Sequence, residues 1–199
     1  MPRQNPRMDH LPFLQAALNG DRVHPATPHS PEEIAAEAKA AVAAGAQSVH
    51  LHPYGLDGRQ TLDAAVCAET IRRVRQACPR TTISLTTSAD VVEDPVERFR
   101  LIAAWTVLPD LVTANQGEEG ILYEAGIALE QVHHGDGIAS WAVNERAIRY
   151  GHGIRTGLED TPVLPDGSQA QENCDLVAAA AAMQRGLDPS CSARTRQVG

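Results

Sequence analysis

Apolar and polar residues alternate along the chain in blocks that predict strands and helices in regular succession. Six short apolar runs are typical of buried strands, at residues 12–20, 47–54, 81–88, 110–116, 127–137 and 151–160. Five longer runs have apolar residues at helical spacing, at residues 31–44, 62–77, 95–106, 138–150 and 172–185. Strands separated by helices imply parallel strands joined by crossovers, and hence an α/β barrel or a doubly wound sheet.

The clearest local signal is the start of the first predicted helix. Ser30 is a good N-cap, Pro31 suits the first helical position, and Glu33 stands three residues after the cap. This spacing predicts a capping box. Gly45 suits the position that follows the last turn of the same helix.

The spacing of the predicted strands indicates where the fold departs from a complete barrel. Only ten residues separate Gln116 from Ile127, and a helical crossover between parallel strands needs more. A (β/α)₈ barrel typically has about 250 residues, whereas this chain has 199. We therefore expect one domain over residues 1–199, with a flexible tail at 187–199. Its fold is predicted to be an incomplete TIM-type (β/α) barrel of about six βα units.

Composition narrows the class of partner. The chain has 17 basic and 25 acidic residues, a net charge of −8, and an aliphatic character with only 4% aromatic residues. A nucleic-acid or membrane-surface partner needs a basic face, so neither is expected. The longest apolar run is far below the ~18 residues of a membrane span, and the first ten residues lack a signal peptide's apolar stretch. We expect a cytoplasmic protein.

The first candidate for chemistry is the pair His50 and His52 at the end of the second predicted strand. Residues two apart on a strand project from the same face, as two ligands of one metal ion must. The carboxyl ends of barrel strands are also where active sites lie. The alternative is a pair of partly buried histidines that are hydrogen-bonded to neighbours.

The second candidate is a charged group at the end of the last predicted strand. Arg155 and Glu159 are expected on one strand face, and Asp160 at the edge of the following loop. Glu159 could complete a His₂Glu metal set, and Arg155 with Asp160 could move a proton or hold a carboxylate. The alternative is a salt bridge at the barrel rim.

Further polar residues end other strands and are weaker candidates. Hydroxyl and amide groups that could bind a substrate carboxylate or thioester oxygen belong to Thr86, Thr87, Ser88, Thr113 and Asn115. Of the adjacent His133 and His134, at most one can face a common pocket, because neighbouring strand residues point to opposite faces. Glycine-rich phosphate loops and the serine-hydrolase elbow are absent from the sequence.

Three stretches of sequence resemble the β-keto acid cleavage enzymes, whose type member is 3-keto-5-aminohexanoate cleavage enzyme. They are LNGDR with TPHSPEEIAAEAKAAVAAGAQSVHLHPYGLDGRQTLD, then TTISLTTSA, and then GHGIRTGLEDTPVLPDGSQAQEN. The resemblance covers residues 12–116 and 127–186, and it implies that the fifth and sixth βα units of the family's barrel are deleted here. It further implies a zinc-dependent TIM-barrel enzyme that condenses a β-keto acid with acetyl-CoA and releases acetoacetate and a new acyl-CoA.

The resemblance also implies roles for individual residues. It makes His50, His52 and Glu159 the zinc ligands, and Arg155 with Asp160 the pair that promotes deprotonation of the substrate. A hydroxyl that holds the keto acid falls at Thr86, and Thr113 and Asn115 match other substrate contacts loosely. The family's acidic residue after the first strand has no firm match, because Asp21 near that place is followed by Arg22.

Two other functions are compatible with the residues. A metal-dependent, amidohydrolase-like hydrolase also begins its site with a strand-end His-x-His, and a ligand from His133 or His134 would favour it. A truncated barrel that binds metal without turnover is the second alternative. In either case the missing strands would leave exposed sheet edges, and a homo-oligomer is expected to cover them.

Overall fold

The computed structural model describes residues 13–112 and 132–186, and within them strands and helices alternate. The strands are β1 (Leu14–Ala17), β2 (Ser48–Leu51), β3 (Thr82–Leu85), β4 (Leu111–Val112), β5 (Val132–His133) and β6 (Gly153–Thr156). The helices are α1 (Pro31–Ala44), α2 (Ala64–Ala77), α3 (Pro95–Ala103), α4 (Ser140–Arg149) and α5 (Asn173–Gln184), with a 3₁₀ turn at Gly137–Ala139 before α4. A helix with the length and apolar content of a membrane span is absent from these two ranges.

The six described strands form one parallel sheet in the order β4-β3-β2-β1-β6-β5. Because all strands are parallel, their carboxyl ends lie along one edge. In the register, Ala17 of β1 is opposite His50 of β2, and Gln15 of β1 is opposite Arg155 of β6. The predicted incomplete TIM-type barrel is confirmed: β4 and β5 are the outer strands of the described sheet, where a closed barrel would pair them.

Local sequence signals explain where the helices begin. Ser30 Oγ accepts a hydrogen bond from Glu33 N at 3.2 Å, and Glu33 Oε2 accepts one from Ser30 N at 2.9 Å, which confirms the predicted capping box. Asp63 and Asp94 cap α2 and α3 with their carboxylates, which accept hydrogen bonds from backbone N–H groups of the first helical turn. Gly45 ends α1 with φ of 124°. The starts of α1, α2 and α3 and the end of α1 therefore fall at residues that the sequence marks, whereas α3 ends at Ala103 and not at the predicted residue 106.

The core that holds the sheet is aliphatic, as the composition implies. Large, fully buried side chains come from the strands and from the helices that cover them. They include Leu14, Ile34, Leu51, Ile71, Ile83 and Ile154. Helix α1 packs between α2 and α5 on the outer side of the sheet. Burial of these side chains fixes β1, β2, β3 and β6, the strands whose ends carry most of the candidate residues.

Several predicted boundaries differ from the structure. The last predicted strand, 151–160, ends at Thr156, and the chain then turns, with Asp160 N and Thr161 N both donating to Gly157 O at 2.9 Å. The expectation that Glu159 shares a strand face with Arg155 is therefore wrong, because Glu159 lies in this turn. The parts of the predicted strands at 113–116 and 127–131, and the predicted tail at 187–199, lie outside the described residues.

The turn after β6 depends on close backbone contact at Gly157. A Cβ atom at this position would lie 1.8 Å from the carbonyl oxygen of Ala17. No side chain can be accommodated at that distance, because the obstacle is the backbone of β1. Gly157 thus lets the chain leave β6 while it remains against β1, and this places the residues that follow over the carboxyl end of the sheet.

Gly157→Ala is expected to lower the free energy of unfolding by at least about 3 kcal/mol, since the new methyl group displaces β1 or the turn. Urea unfolding followed by circular dichroism measures this. Gly58→Ala is the control: nothing lies within 4 Å of a Cβ there, and its φ is 74°. This control should lower the free energy of unfolding by only about 1 kcal/mol, because alanine is disfavoured in the left-handed backbone region. Equal losses in the two variants would contradict the close contact.

Candidate metal centre

Three predicted metal ligands converge at the carboxyl edge of the sheet. His50 Nε2 lies 3.2 Å from His52 Nε2. Glu159 Oε2 lies 3.8 Å from His50 Nε2, and Glu159 Oε1 lies 3.6 Å from His52 Nε2. One donor atom from each residue falls within 4.8 Å of the others. Two imidazoles and a carboxylate are a donor set that binds zinc and leaves coordination positions open.

Hydrogen bonds to the other ring nitrogens orient both histidines. His52 Nδ1 is 2.6 Å from Gln60 Oε1, an acceptor, so an N–H at Nδ1 donates to Gln60 and leaves Nε2 facing the cluster. His50 Nδ1 is 3.1 Å from Ser84 Oγ on the neighbouring strand β3. Such outer contacts fix the tautomer and ring plane of metal-binding histidines.

The protonation state of His50 and the unpaired oxygen of Glu159 both favour a bound cation at this cluster. Burial, with the nearby Arg155 guanidinium adding to it, holds the pKa of His50 well below its ordinary value, so the ring is neutral at pH 7. The buried Glu159 Oε2 has no hydrogen-bond partner among the described residues. A buried carboxylate oxygen without a donor is costly, and a metal ion held by the three residues would satisfy it.

Glu159 reaches the histidines by passing over β1, because β1 separates β2 from β6 in the sheet. The residue below it is Gly20, where a Cβ atom would lie 2.6 Å from Glu159 Cγ. Asn19 holds the backbone of His52. Its Oδ1 accepts a hydrogen bond from His52 N at 2.8 Å, and its Nδ2 donates one to His52 O at 2.9 Å. The loop after β1 thus contacts both the side chain of Glu159 and the backbone of His52.

The other predicted charged residues form a buried ion pair beside the metal ligands. Arg155 Nε donates to Asp160 Oδ2 at 3.2 Å, and Arg155 Nη2 donates to Asp160 Oδ1 at 2.6 Å. The same Nη2 donates to Glu159 Oε1 at 2.9 Å. Arg155 and Asp160 are only 7% and 2% exposed. The guanidinium therefore joins the candidate metal ligand to the candidate proton-transfer residue.

His134 completes this charged group. Its Nδ1 is 3.2 Å from Asp160 Oδ1 and 3.3 Å from Arg155 Nη2. Burial alone would raise the pKa of Asp160, but a hydrogen bond from His134 and the charge of Arg155 together lower it below the ordinary value. Asp160 is thus an ionised carboxylate at neutral pH. Within residues 13–112 and 132–186 the metal-ligand cluster does not include His134, so the contact that would favour a hydrolase is not found there.

A cleft of about 650 Å³ opens above the three ligands. Thr86 lines it, and this residue is 2% exposed, with its Oγ1 accepting a hydrogen bond from Ser88 N at 3.2 Å. Ser88, Tyr54 and His134 also face the cleft. The other two predicted substrate contacts, Thr113 and Asn115, lie outside the described residues.

Sequence reasoning missed the supporting residues of the site. Ser84 and Gln60 orient the histidine rings, and Asn19 holds the backbone of His52. Ser84 stands in the third strand at the position opposite His50, which a correct register would have revealed. Gln60 lies in the loop after His52, and its contact depends on how that loop folds back. No spacing rule could identify Asn19.

Arg155→Met is expected to lower the free energy of unfolding by about 3–5 kcal/mol, because it leaves the buried Asp160 and Glu159 carboxylates without their cation. Denaturant unfolding of the metal-free protein measures the loss. Arg149→Met removes the same charge from an exposed helical position and should change stability by no more than about 0.5 kcal/mol. A small effect of Arg155→Met would show that this ion pair does not hold the turn after β6.

Comparison with known proteins identifies the relatives of this chain. The profile of the beta-keto acid cleavage enzyme family matches residues 13–133 and 132–198. A 3-keto-5-aminohexanoate cleavage enzyme from Fusobacterium nucleatum is 36% identical over 92 residues, which are 44% of this chain and 34% of that protein. The chain therefore matches about a third of the length of this curated relative.

Solved structures of ObcA share the fold. The complex of ObcA with oxaloacetate has a TM-score of 0.55 at 16% identity, and the match covers 82% of this chain and 65% of ObcA. The ternary complex of ObcA with a C4-CoA adduct and oxalate has the same score and identity, over 85% and 67% of the two chains. With the family profile covering nearly all of the sequence after residue 12, this chain belongs to the β-keto acid cleavage enzyme family.

Proposed function

We propose that this chain is a zinc-dependent enzyme that condenses a β-keto acid with acetyl-CoA and releases acetoacetate and a new acyl-CoA. The observation that carries the proposal is the convergence of His50, His52 and Glu159 beside the buried Arg155–Asp160 pair, with one Glu159 oxygen unsatisfied. Membership of the β-keto acid cleavage enzyme family supports this reaction type. The specific reaction and the metal are our proposal for this chain.

The two histidines and Glu159 would hold the metal ion. Two imidazoles whose Nδ1 atoms already have hydrogen-bond partners, together with one carboxylate, are a ligand set that catalytic zinc uses. A zinc ion bound there would supply a Lewis acid that polarises the keto oxygen of the substrate. Buried His50 stays neutral because its pKa is lowered by burial, so no proton has to leave it before a metal binds.

Asp160, acting through Arg155, which lines the cleft, is proposed to take up the proton that leaves C2 of the β-keto acid. Its carboxylate is ionised and is held by two hydrogen bonds from Arg155, so its position and charge are set before substrate arrives. The resulting carbon nucleophile attacks the acetyl thioester, and the CoA thiolate leaves. The thiolate then attacks the original keto carbon, the C2–C3 bond breaks, and the proton returns to C2 to give acetoacetate.

Substrate contacts are proposed for hydroxyl and amide groups around the cleft. Thr86 would hold the keto acid from the cleft wall, and Thr113 and Asn115 would add contacts from the segment after β4. The fold relative ObcA is described in complexes with oxaloacetate and with a CoA adduct. These ligands support a β-keto acid and a CoA thioester as the substrates of this chain.

The alternative with a specific observation behind it is a metal-binding protein without turnover. Leu111 in the outer strand β4 and Val132 in the outer strand β5 are 45% and 40% exposed. A homo-oligomer that covers these edges is proposed, because unpaired strand edges favour association. Sedimentation of the purified chain tests the oligomer, and acyl-CoA formation from a panel of β-keto acids separates the enzyme from the inert protein.

One zinc ion per chain is expected after purification and dialysis, and His50→Ala and His52→Ala should each lose it, since each removes a proposed ligand. Metal analysis by mass spectrometry measures the content. His152→Ala, which removes a histidine that lines neither the cleft nor the ligand cluster, should retain the ion. Stoichiometric zinc in both ligand variants would refute the assignment.

Asp160→Asn should lower acyl-CoA formation at least about 100-fold, because the amide cannot take up the C2 proton, and it should leave the zinc content unchanged. Turnover is followed by chromatography of the CoA esters. Loss of zinc in this variant would place Asp160 among the ligands instead. Unchanged turnover would remove its proposed role in proton transfer.

A further inference from the structure

The loop after β1 carries an arginine whose side chain ends on the backbone of the candidate site. Arg22 Nε donates to the carbonyl oxygen of Glu159 at 3.1 Å, and Arg22 Nη2 donates to that of Asp160 at 3.2 Å. These two acceptors belong to the proposed metal ligand and the proposed proton acceptor. The guanidinium spans them as a fork, which the planar arrangement of its N–H groups permits.

The same guanidinium also connects the loop after β5. Arg22 Nη2 forms an ion pair with Asp136 Oδ1, and the residue after Asp136, Gly137, donates its N–H to Asp160 O at 2.8 Å. The carbonyl of Asp160 is therefore held from two sides. The loops after β1, β5 and β6 meet at this point, although β1 and β5 are not neighbours in the sheet.

A second contact from the loop after β1 acts on the side chain of Glu159. A Cβ atom on Gly20 would lie 2.6 Å from Glu159 Cγ, so the absence of a side chain at Gly20 is what lets the carboxylate lie over β1. Tyr54, from the loop after β2, donates its hydroxyl proton to Gly20 O. The loop thus controls Glu159 twice: Gly20 leaves room for its side chain, and Arg22 holds its backbone.

We propose that Arg22 is a positioning residue that sets the affinity and geometry of the metal centre by fixing the backbone of Glu159 and Asp160. This inference rests on the proposed metal site. The role belongs to the fork of hydrogen bonds and not to the positive charge alone. The reason is that Arg22 donates to two carbonyl oxygens, whereas its partner Asp136 has a side chain that is 81% exposed and an exposed ion pair contributes little.

The test measures zinc affinity by competition with a chelator, and coordination geometry by the visible absorption of the Co²⁺-substituted protein. Arg22→Ala should bind zinc about tenfold more weakly, as loss of an outer contact to a metal ligand does. It should also alter the Co²⁺ spectrum. Arg22→Lys keeps the charge but cannot span both carbonyls, and it should remain weaker than the parent. Arg149→Ala, which removes an equal charge from an exposed pair on α4, should match the parent in both measurements.

Gly20→Ala provides a second variant that leaves Arg22 in place. The added methyl group displaces the Glu159 side chain, and this variant should therefore also lose zinc affinity and alter the Co²⁺ spectrum. Thermal unfolding of each metal-free variant shows whether it remains folded. If Arg22→Ala unfolds without metal, the zinc affinity and Co²⁺ spectrum of Arg22→Lys decide whether Arg22 positions the ligands. Gly20→Ala then tests separately whether the placement of Glu159 matters for metal binding.

Three results overturn the proposal in different ways. Parent-like affinity and spectrum in Arg22→Ala would show that the fork does not position the ligands. Full recovery in Arg22→Lys would assign the effect to charge instead of to the two hydrogen bonds. Failure of the parent chain to bind zinc at all would overturn the proposed metal function itself, and it is distinguished from the first two results because it is seen before any substitution is made.

Discussion

Glu159 has to cross the strand that separates it from the histidines, and the rest of the site is arranged around that crossing. His50 lies in β2 and His52 directly follows it. Glu159 follows β6, and β1 lies between these strands. Two glycines make the crossing sterically allowed. Gly157 lets the turn after β6 remain against the backbone of β1, and Gly20 leaves space for the side chain of Glu159. Without either of them, the third donor atom would not reach the pair of imidazoles.

A second constraint is the charge that this crossing buries. Arg155, Asp160 and Glu159 lie together with little solvent contact, and such charges persist in a protein only when they are paired. Arg155 pairs with both carboxylates, yet one oxygen of Glu159 remains without a donor in the described part of the chain. A salt bridge at the barrel rim would not by itself explain a buried Glu159 oxygen that has no donor among the described residues. The unsatisfied oxygen of Glu159 therefore favours a bound cation over a simple salt bridge as the explanation of this cluster.

The candidate site lies mainly at the inner strands of the described sheet. The proposed ligands and the residues that orient them come from β2 and β3 and from the loops after β1, β2 and β6. These four strands form the inner part of the described sheet. From the outer strands, only the loop after β5 contributes described contacts to the site, through His134 and through Asp136, which pairs with Arg22. The candidate metal centre is therefore supported mainly by the inner, well-packed strands of the described sheet.

The sequence by itself determined the features that depend on neighbouring residues. Ser30 and Glu33 form their capping box because both lie within one helical turn. His50, in β2, and His52, one residue beyond it, bring their Nε2 atoms within 3.2 Å of each other, as their spacing of two residues predicted. The alternation of strands and helices likewise predicted a parallel sheet. The residues alone offered Glu159 as a possible third ligand, and the family resemblance assigned it that role. The strand geometry expected for Glu159 was wrong because β6 ends at Thr156.

Only the tertiary structure decided which distant residues support the site. The contacts of Ser84 and Gln60 with the histidine rings, of His134 with Asp160, and of Arg22 with the turn after β6 join segments whose separation depends on strand order and register. A side chain's hydrogen-bond partners over such distances follow from how the sheet and its loops pack, and no local pattern encodes them. The residue types were visible in the sequence, but their partners were set by packing.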